Sequence, residues 1–140
     1  MMKRGVCMLT ACLLLAVVAG CATAAKKSPE DLIKEQLMGW KAAMEAQDVD
    51  KIMANFSDNF KHYDWKDKAG AKDFIADAKD MGYLEGIEVL LDDMEIKVEG
   101  DKATVYPIDI SGAFGSLSME LSLAKEGDTW MVVGLDAAGL

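Results

Sequence analysis

The sequence predicts an α+β fold, with three N-terminal helices packed in a strongly curved antiparallel β-sheet to form a cone. Three observations carry this. Apolar residues recur at helical spacing as far as Gly82, and from Ile87 onward β-branched residues and period-two alternation replace that spacing. The connections between the later runs are short and rich in glycine and aspartate, as antiparallel hairpins require.

Ser28-Pro29-Glu30-Asp31 opens the first helix with a serine cap, a proline at the first helical position and acids against the positive end of the helix dipole. Ile33, Leu37, Trp40 and Met44 follow at i, i+4, i+7 and i+11, one apolar stripe over about four or five turns. Asp48 caps a short second helix in which Val49, Ile52, Met53 and Phe56 face one way, and Ser57-Asp58-Asn59 ends it. Residues 60–65 read as an aromatic strand and 66–70 as a polar turn. A third helix then presents Phe74, Ile75, Ala78 and Met81 as its apolar face and stops at Gly82.

Strands are expected at 87–91, 94–99, 102–110, 117–125 and 129–135. Leu117, Met119, Leu121 and Leu123 alternate with Ser118, Glu120 and Ser122, so one face of that strand is buried and the other wet. Pro107, inside the longest run, predicts a bulge or an edge, as a strongly bent sheet needs.

The chain's first residues have a different character. Lys3 and Arg4 precede an uncharged apolar stretch from Gly5 to Gly20, which ends in Val18-Ala19-Gly20-Cys21. That stretch is shorter than the roughly 18 residues of a spanning helix, so an export signal is expected over 1–20. The last four residues resemble the lipobox of bacterial lipoproteins, which implies cleavage before Cys21 and a lipid on its sulfur. A short tether, 21–27, then leads to one domain, 28–140. The alternative is an ordinary secretory signal cut at Ala22-Thr23-Ala24, which discards Cys21 and leaves its place after Ala-Gly unexplained.

Cleavage removes Cys7 and Cys12, so no disulfide is expected. It also takes the formal charge from −9 to −11, because the signal holds two basic residues and no acidic one. Such a surface repels phosphate backbones and anionic headgroups, which argues against a nucleic-acid partner and leaves the lipid as the contact with the membrane. Two or more acyl chains suffice for stable anchoring. Ala22 and Thr23 follow the cysteine, with no aspartate at the next position. The expected address is therefore the outer membrane, facing the periplasm.

Three segments carry a second resemblance: Gly39-Trp40-Lys41-Ala42-Ala43 through Gln47-Asp48-Val49-Asp50 to Phe56-Ser57-Asp58-Asn59-Phe60, then Val98-Glu99-Gly100-Asp101-Lys102-Ala103, and finally Glu126-Gly127-Asp128-Thr129-Trp130-Met131-Val132-Val133. They resemble the nuclear transport factor 2-like superfamily, which includes ketosteroid isomerases and polyketide cyclases. The resemblance implies a site in the mouth of the cone, lined by Trp40, Met44, Phe60, His62, Asp64 and Leu121. It places Asp64 where the isomerases have a general-base aspartate, Trp40 where they have an oxyanion-hole tyrosine, and Leu121 where they have a neutral acid. Two of the three isomerase roles therefore lack their residue, and an enolate would lose several kcal/mol of stabilisation.

His62 and Asp64, two apart in an expected strand, would share a face, where the carboxylate could orient the imidazole for acid-base work. The plainer account makes Asp64 a turn cap and His62 a partly buried polar residue. One histidine and a lipidated cysteine give no metal site, and the acidic turn Asp92-Asp93 with Glu95 lacks the spacing of a calcium loop. No phosphate-binding glycine loop and no Gly-x-Ser-x-Gly is present, and no cofactor is expected. The expectation is a non-catalytic envelope protein whose cone binds a small apolar ligand or a protein partner. The alternatives are an isomerase, cyclase or dehydratase with Asp64 as base, and an assembly protein forming a homodimer through its sheet.

Overall fold

The computed structural model describes residues 26–138. The expected signal (1–20), Cys21 and the start of the tether lie outside the described residues. Helices α1 (Pro29–Glu45), α2 (Val49–Met53) and α3 (Lys68–Asp80) precede most of the sheet, and strands β1 (Lys61–His62) and β2 (Lys66–Asp67) form a small hairpin before α3. The main sheet comprises β3 (Glu88–Leu90), β4 (Glu95–Glu99), β5 (Lys102–Gly112), β6 (Gly115–Glu126) and β7 (Thr129–Ala138). Among the described residues no helix is long and apolar enough to cross a membrane.

The helix caps form where the sequence places them. Ser28 accepts the Asp31 N–H at 3.1 Å, and Asp48 accepts the Lys51 N–H at 3.1 Å. That backbone donor, first among several causes, holds the Asp48 carboxyl below its usual range. Ile33, Leu37, Trp40 and Met44 are all buried, joined by Ala43. This stripe lies in the concavity of an antiparallel sheet ordered β3-β5-β6-β7, with β4 also paired to β5. β3 takes residues 109–111 and β4 takes residues 102–106 of that one strand, so the two short strands share an edge.

Pro107 marks a bulge, not an edge. β5 is central, and its register against β6 shifts between Val105 and Ile108. Both flanking residues are fully buried although three apart, because the extra residue restores inward facing after the bend. A second shift, opposite Ser122/Leu123, lets β7 turn inward at both Val132 and Leu135. Two bulges at different heights curl the sheet around α1.

Three expectations are corrected. The aromatic strand is only two residues long, since the chain turns at Tyr63, and part of the expected polar turn is β2 and the start of α3. The buried face of α3 is Ala71, Ile75 and Ala78, whereas Phe74 and Met81 are 48% and 65% exposed. Small residues let α3 lie close against the hairpin. At Gly70 an added Cβ would sit 1.9 Å from the Trp65 carbonyl oxygen, so only glycine fits. The β5–β6 hairpin is also tighter than expected, with both strands continuing to Gly112 and Gly115.

Two polar clamps join helices to sheet. Ser57, fully buried, donates to Glu126 at 2.7 Å and accepts the Asn59 N–H at 2.9 Å, beside the bridge between Phe56 and Val132. On α1, Lys41 donates to the Val89 carbonyl, and Glu45 accepts the Val89 N–H at 3.2 Å while pairing with Lys41 at 2.9 Å. The Lys41 hydrogen bond, then the Val89 N–H, hold the Glu45 carboxyl below its ordinary value.

A carboxyl depressed by folding adds stability that is complete above its unfolded value, about pH 4.3, and is lost as pH falls through the folded value. Glu45→Gln is therefore expected to cost about 0.5 kcal/mol or less at neutral pH, the scale of a part-exposed pair. Urea unfolding of both proteins checks this: the gap should be present at about pH 7 and gone near about pH 3.

Candidate functional site

The open end of the cone holds a cavity of about 310 Å³. Its wall is assembled from every layer. α1 supplies Trp40 and Met44, the end of the second helical segment Phe56, and the β1–β2 hairpin His62, Tyr63, Asp64 and Trp65. α3 and the chain after it add Phe74, Ile75, Ala78, Tyr83, Leu84 and Ile87. The sheet closes the far side with Ile110, Leu117, Met119, Leu135 and Ala137, and Phe114 stands on the β5–β6 turn. Lining of this kind, apolar and aromatic with few polar groups, is what small-molecule sites share.

Of the residues expected at the site, Trp40, Met44, His62 and Asp64 meet at this cavity. Phe60 and Leu121 do not. Phe60 is 0% exposed and packs edge-on against Phe56, with ring centroids 4.9 Å apart, beneath the cavity wall. Leu121 sits deeper in the sheet, paired with Val105 and Leu135, where the concavity is already filled.

The expected alignment of His62 with Asp64 is also corrected. Strand alternation ends at His62, and Asp64 lies in the turn that follows. The imidazole is held instead by backbone: Nδ1 accepts the N–H of Asp64 at 3.2 Å and of Trp65 at 3.3 Å. Nδ1 serves here as an acceptor, which leaves Nε2 as the ring nitrogen without a backbone partner. Around it the rings form a ladder. Tyr63 stacks on His62 at 4.3 Å, His62 on Trp65 at 4.2 Å, and Trp65 on Phe74 at 4.6 Å, with interplanar angles of 28°, 23° and 26°. This ladder fastens the hairpin to α3 and explains why Phe74 leaves the core side of its helix.

Trp40 gives the cavity its ring but not its donor. The indole nitrogen is fully covered and has no hydrogen-bond partner. Asp64 stands exposed at the rim, and His62 has one ring nitrogen committed to the backbone. Among the described residues, no group of three or more histidine, cysteine, aspartate or glutamate side chains is placed to hold a metal ion.

The aromatic collar was not anticipated from spacing. Tyr63, Phe74, Tyr83 and Phe114 all border the cavity yet are exposed, by 76%, 48%, 46% and 39%. Their common signal is visible in the sequence: each is a large ring in a polar or glycine-rich context, Tyr83 after Gly82 and Phe114 between Gly112 and Gly115. Clustered exposed apolar surface of this sort marks binding sites more than packing.

A curved sheet closed by three helices around an apolar cavity defines the class of molecule: an α+β cone with an open, ring-lined mouth. No protein-family model matches the chain, and a search of curated proteins finds no match either. Solved structures do match. A nuclear transport factor 2-like protein from Pseudomonas putida aligns with TM-score 0.63 at 16% identity, covering 77% of this chain and 84% of that one. A cystatin-like-fold protein from Nostoc punctiforme aligns with TM-score 0.63 at 16% identity, over 80% and 92% of the two chains. A de novo designed protein with a curved β-sheet aligns with TM-score 0.59 at 15% identity, over 76% and 99%. The chain therefore has the nuclear transport factor 2-like, cystatin-like cone fold. At these identities the likeness is one of fold, and function has to be argued from the site.

Proposed function

We propose that this is an exported protein, lipid-anchored at Cys21 in the outer membrane and facing the periplasm, whose cone binds a small apolar ligand without transforming it. The cavity carries the reading. It is of ligand size and lined almost wholly by apolar and aromatic side chains, and exposed rings surround its mouth. The covered indole nitrogen of Trp40 supports a non-catalytic role, since a donor without exposed surface does not face charge developing on a substrate in the cavity. The position of Asp64 at the rim favours a second reading, a proton-abstracting enzyme. That reading requires a donor to swing into the cavity.

Residues 26–140 suffice for a test, because every buried side chain of the described core lies between Ile33 and Val132. N-phenylnaphthylamine, a neutral dye that brightens in apolar surroundings, is expected to bind saturably with one site per chain. Ala137→Phe fills the cavity from β7 and should weaken that binding by at least about tenfold while leaving the unfolding free energy within about 1.5 kcal/mol of the parent. Unsaturable fluorescence, or equal binding by the variant, would refute the ligand-binding reading.

A further inference from the structure

The lining of the cavity includes one formally charged side chain, Asp64, and neither lysine nor arginine. Among the described residues the Asp64 carboxylate has no hydrogen bond or ion pair, and its residue engages His62 only through the backbone N–H. Lys41, Lys51, Lys68 and Lys72 are each paired with other carboxylates. Directly beside Asp64 stands the ladder of Tyr63, His62, Trp65 and Phe74.

The face of an aromatic ring carries negative potential and attracts cations, most strongly for tryptophan and then for tyrosine and phenylalanine. An unpaired carboxylate at the edge of such rings adds attraction of the same sign. So does the field of a chain with formal charge −9. Deeper in, Ile75, Leu84 and Ile110 offer only apolar surface. A molecule bearing a carboxylate, sulfate or phosphate would set like charge against Asp64 and bury it among groups that cannot compensate it.

Resting on the ligand-binding reading of this same cavity, we infer that its ligand is an amphiphilic organic cation. Its flat or branched apolar body enters the cone, and its protonated amine or quaternary ammonium remains at the rim, between the aromatic ladder and Asp64.

Three naphthalene compounds of one size test this: naphthylmethylamine, naphthylmethanol and naphthoate, measured by equilibrium dialysis against residues 26–140 at low ionic strength. The amine should bind best and the carboxylate worst, about tenfold apart. Asp64→Asn keeps the backbone N–H that His62 uses, and should shrink that difference to about threefold or less without changing the alcohol. Raising the salt concentration should narrow the gap in the parent protein. Naphthoate binding as tightly as the amine, or a gap that survives Asp64→Asn, would overturn the charge assignment while the ligand-binding reading stands. Failure of all three compounds to bind would bring down both.

Discussion

Phe56→Ala is expected to destabilise the domain by about 3–5 kcal/mol, the range for removing a fully buried aromatic ring. Phe56 is 2% exposed, packs edge-to-face on Phe60 and bridges to Val132 on β7. Deleting the ring forfeits the apolar transfer term, the aromatic pair and the floor of the cavity together. The void opens toward a cavity that already exists, so neighbouring side chains gain little by collapsing into it. Against a total stability of about 5–15 kcal/mol, the loss is large enough to leave an appreciable unfolded fraction at growth temperature. Urea titration should show a lower midpoint with an unchanged slope. Tyr63→Ala, at a ring that borders the same cavity but is 76% exposed, should stay within about 0.5 kcal/mol of the parent. Equal effects at the two positions would mean that the core does not run through Phe56.

Cys21→Ser is expected to have an all-or-none effect on location. The proposed anchor is a thioether, so an oxygen in place of the sulfur removes the acceptor for diacylglycerol, and the acidic mature surface offers no second means of adhering to anionic lipid. Labelled palmitate should enter the parent chain and not the variant, and the variant should leave the membrane fraction. Incorporation of label into Cys21→Ser would place the lipid elsewhere. A parent chain without label would favour cleavage after Ala24, with the cysteine discarded.

How far the fold can be read from the sequence depends on whether a residue's neighbours are near it in the chain. The stripe of α1 is local, so Ile33, Leu37, Trp40 and Met44 announce their burial by spacing alone. The bend at Pro107 is half legible: a proline inside a strand implies a bulge or an edge, and the pairing of β5 on both sides decides for the bulge. α3 is less legible. Its periodicity permits either Phe74 or the Ala71-Ile75-Ala78 face to be buried, and the stacking of Phe74 on Trp65 in the aromatic ladder goes with burial of the second face.

The site shows the same division. The resemblance puts Trp40, Met44, His62 and Asp64 at the mouth of the cone, and all four line the cavity. The expected shared face of His62 and Asp64 does not form, because a two-residue strand has no room for alternation and the turn takes over. Phe114 and Tyr83 reach the rim only through tertiary folding of distant turns. Leu121, which the resemblance puts at the site, lies below the depth at which the concavity closes, and no local pattern reports that depth.

The reach of the tether has a consequence for traffic. Lys27 pairs with Glu35 at 2.6 Å, so the incoming chain lies along the first turns of the helix, whereas Trp40 and Met44 reach the cavity from its final turns. Seventeen residues of helix measure about 25 Å, and the seven steps of chain from Cys21 to the helix cap can stretch about 25 Å at most. If Cys21 carries lipid as proposed, a tether of this reach keeps the domain close to the membrane surface without fixing which way the mouth of the cone faces, so ligand arriving from the leaflet and ligand arriving through water meet the same rim.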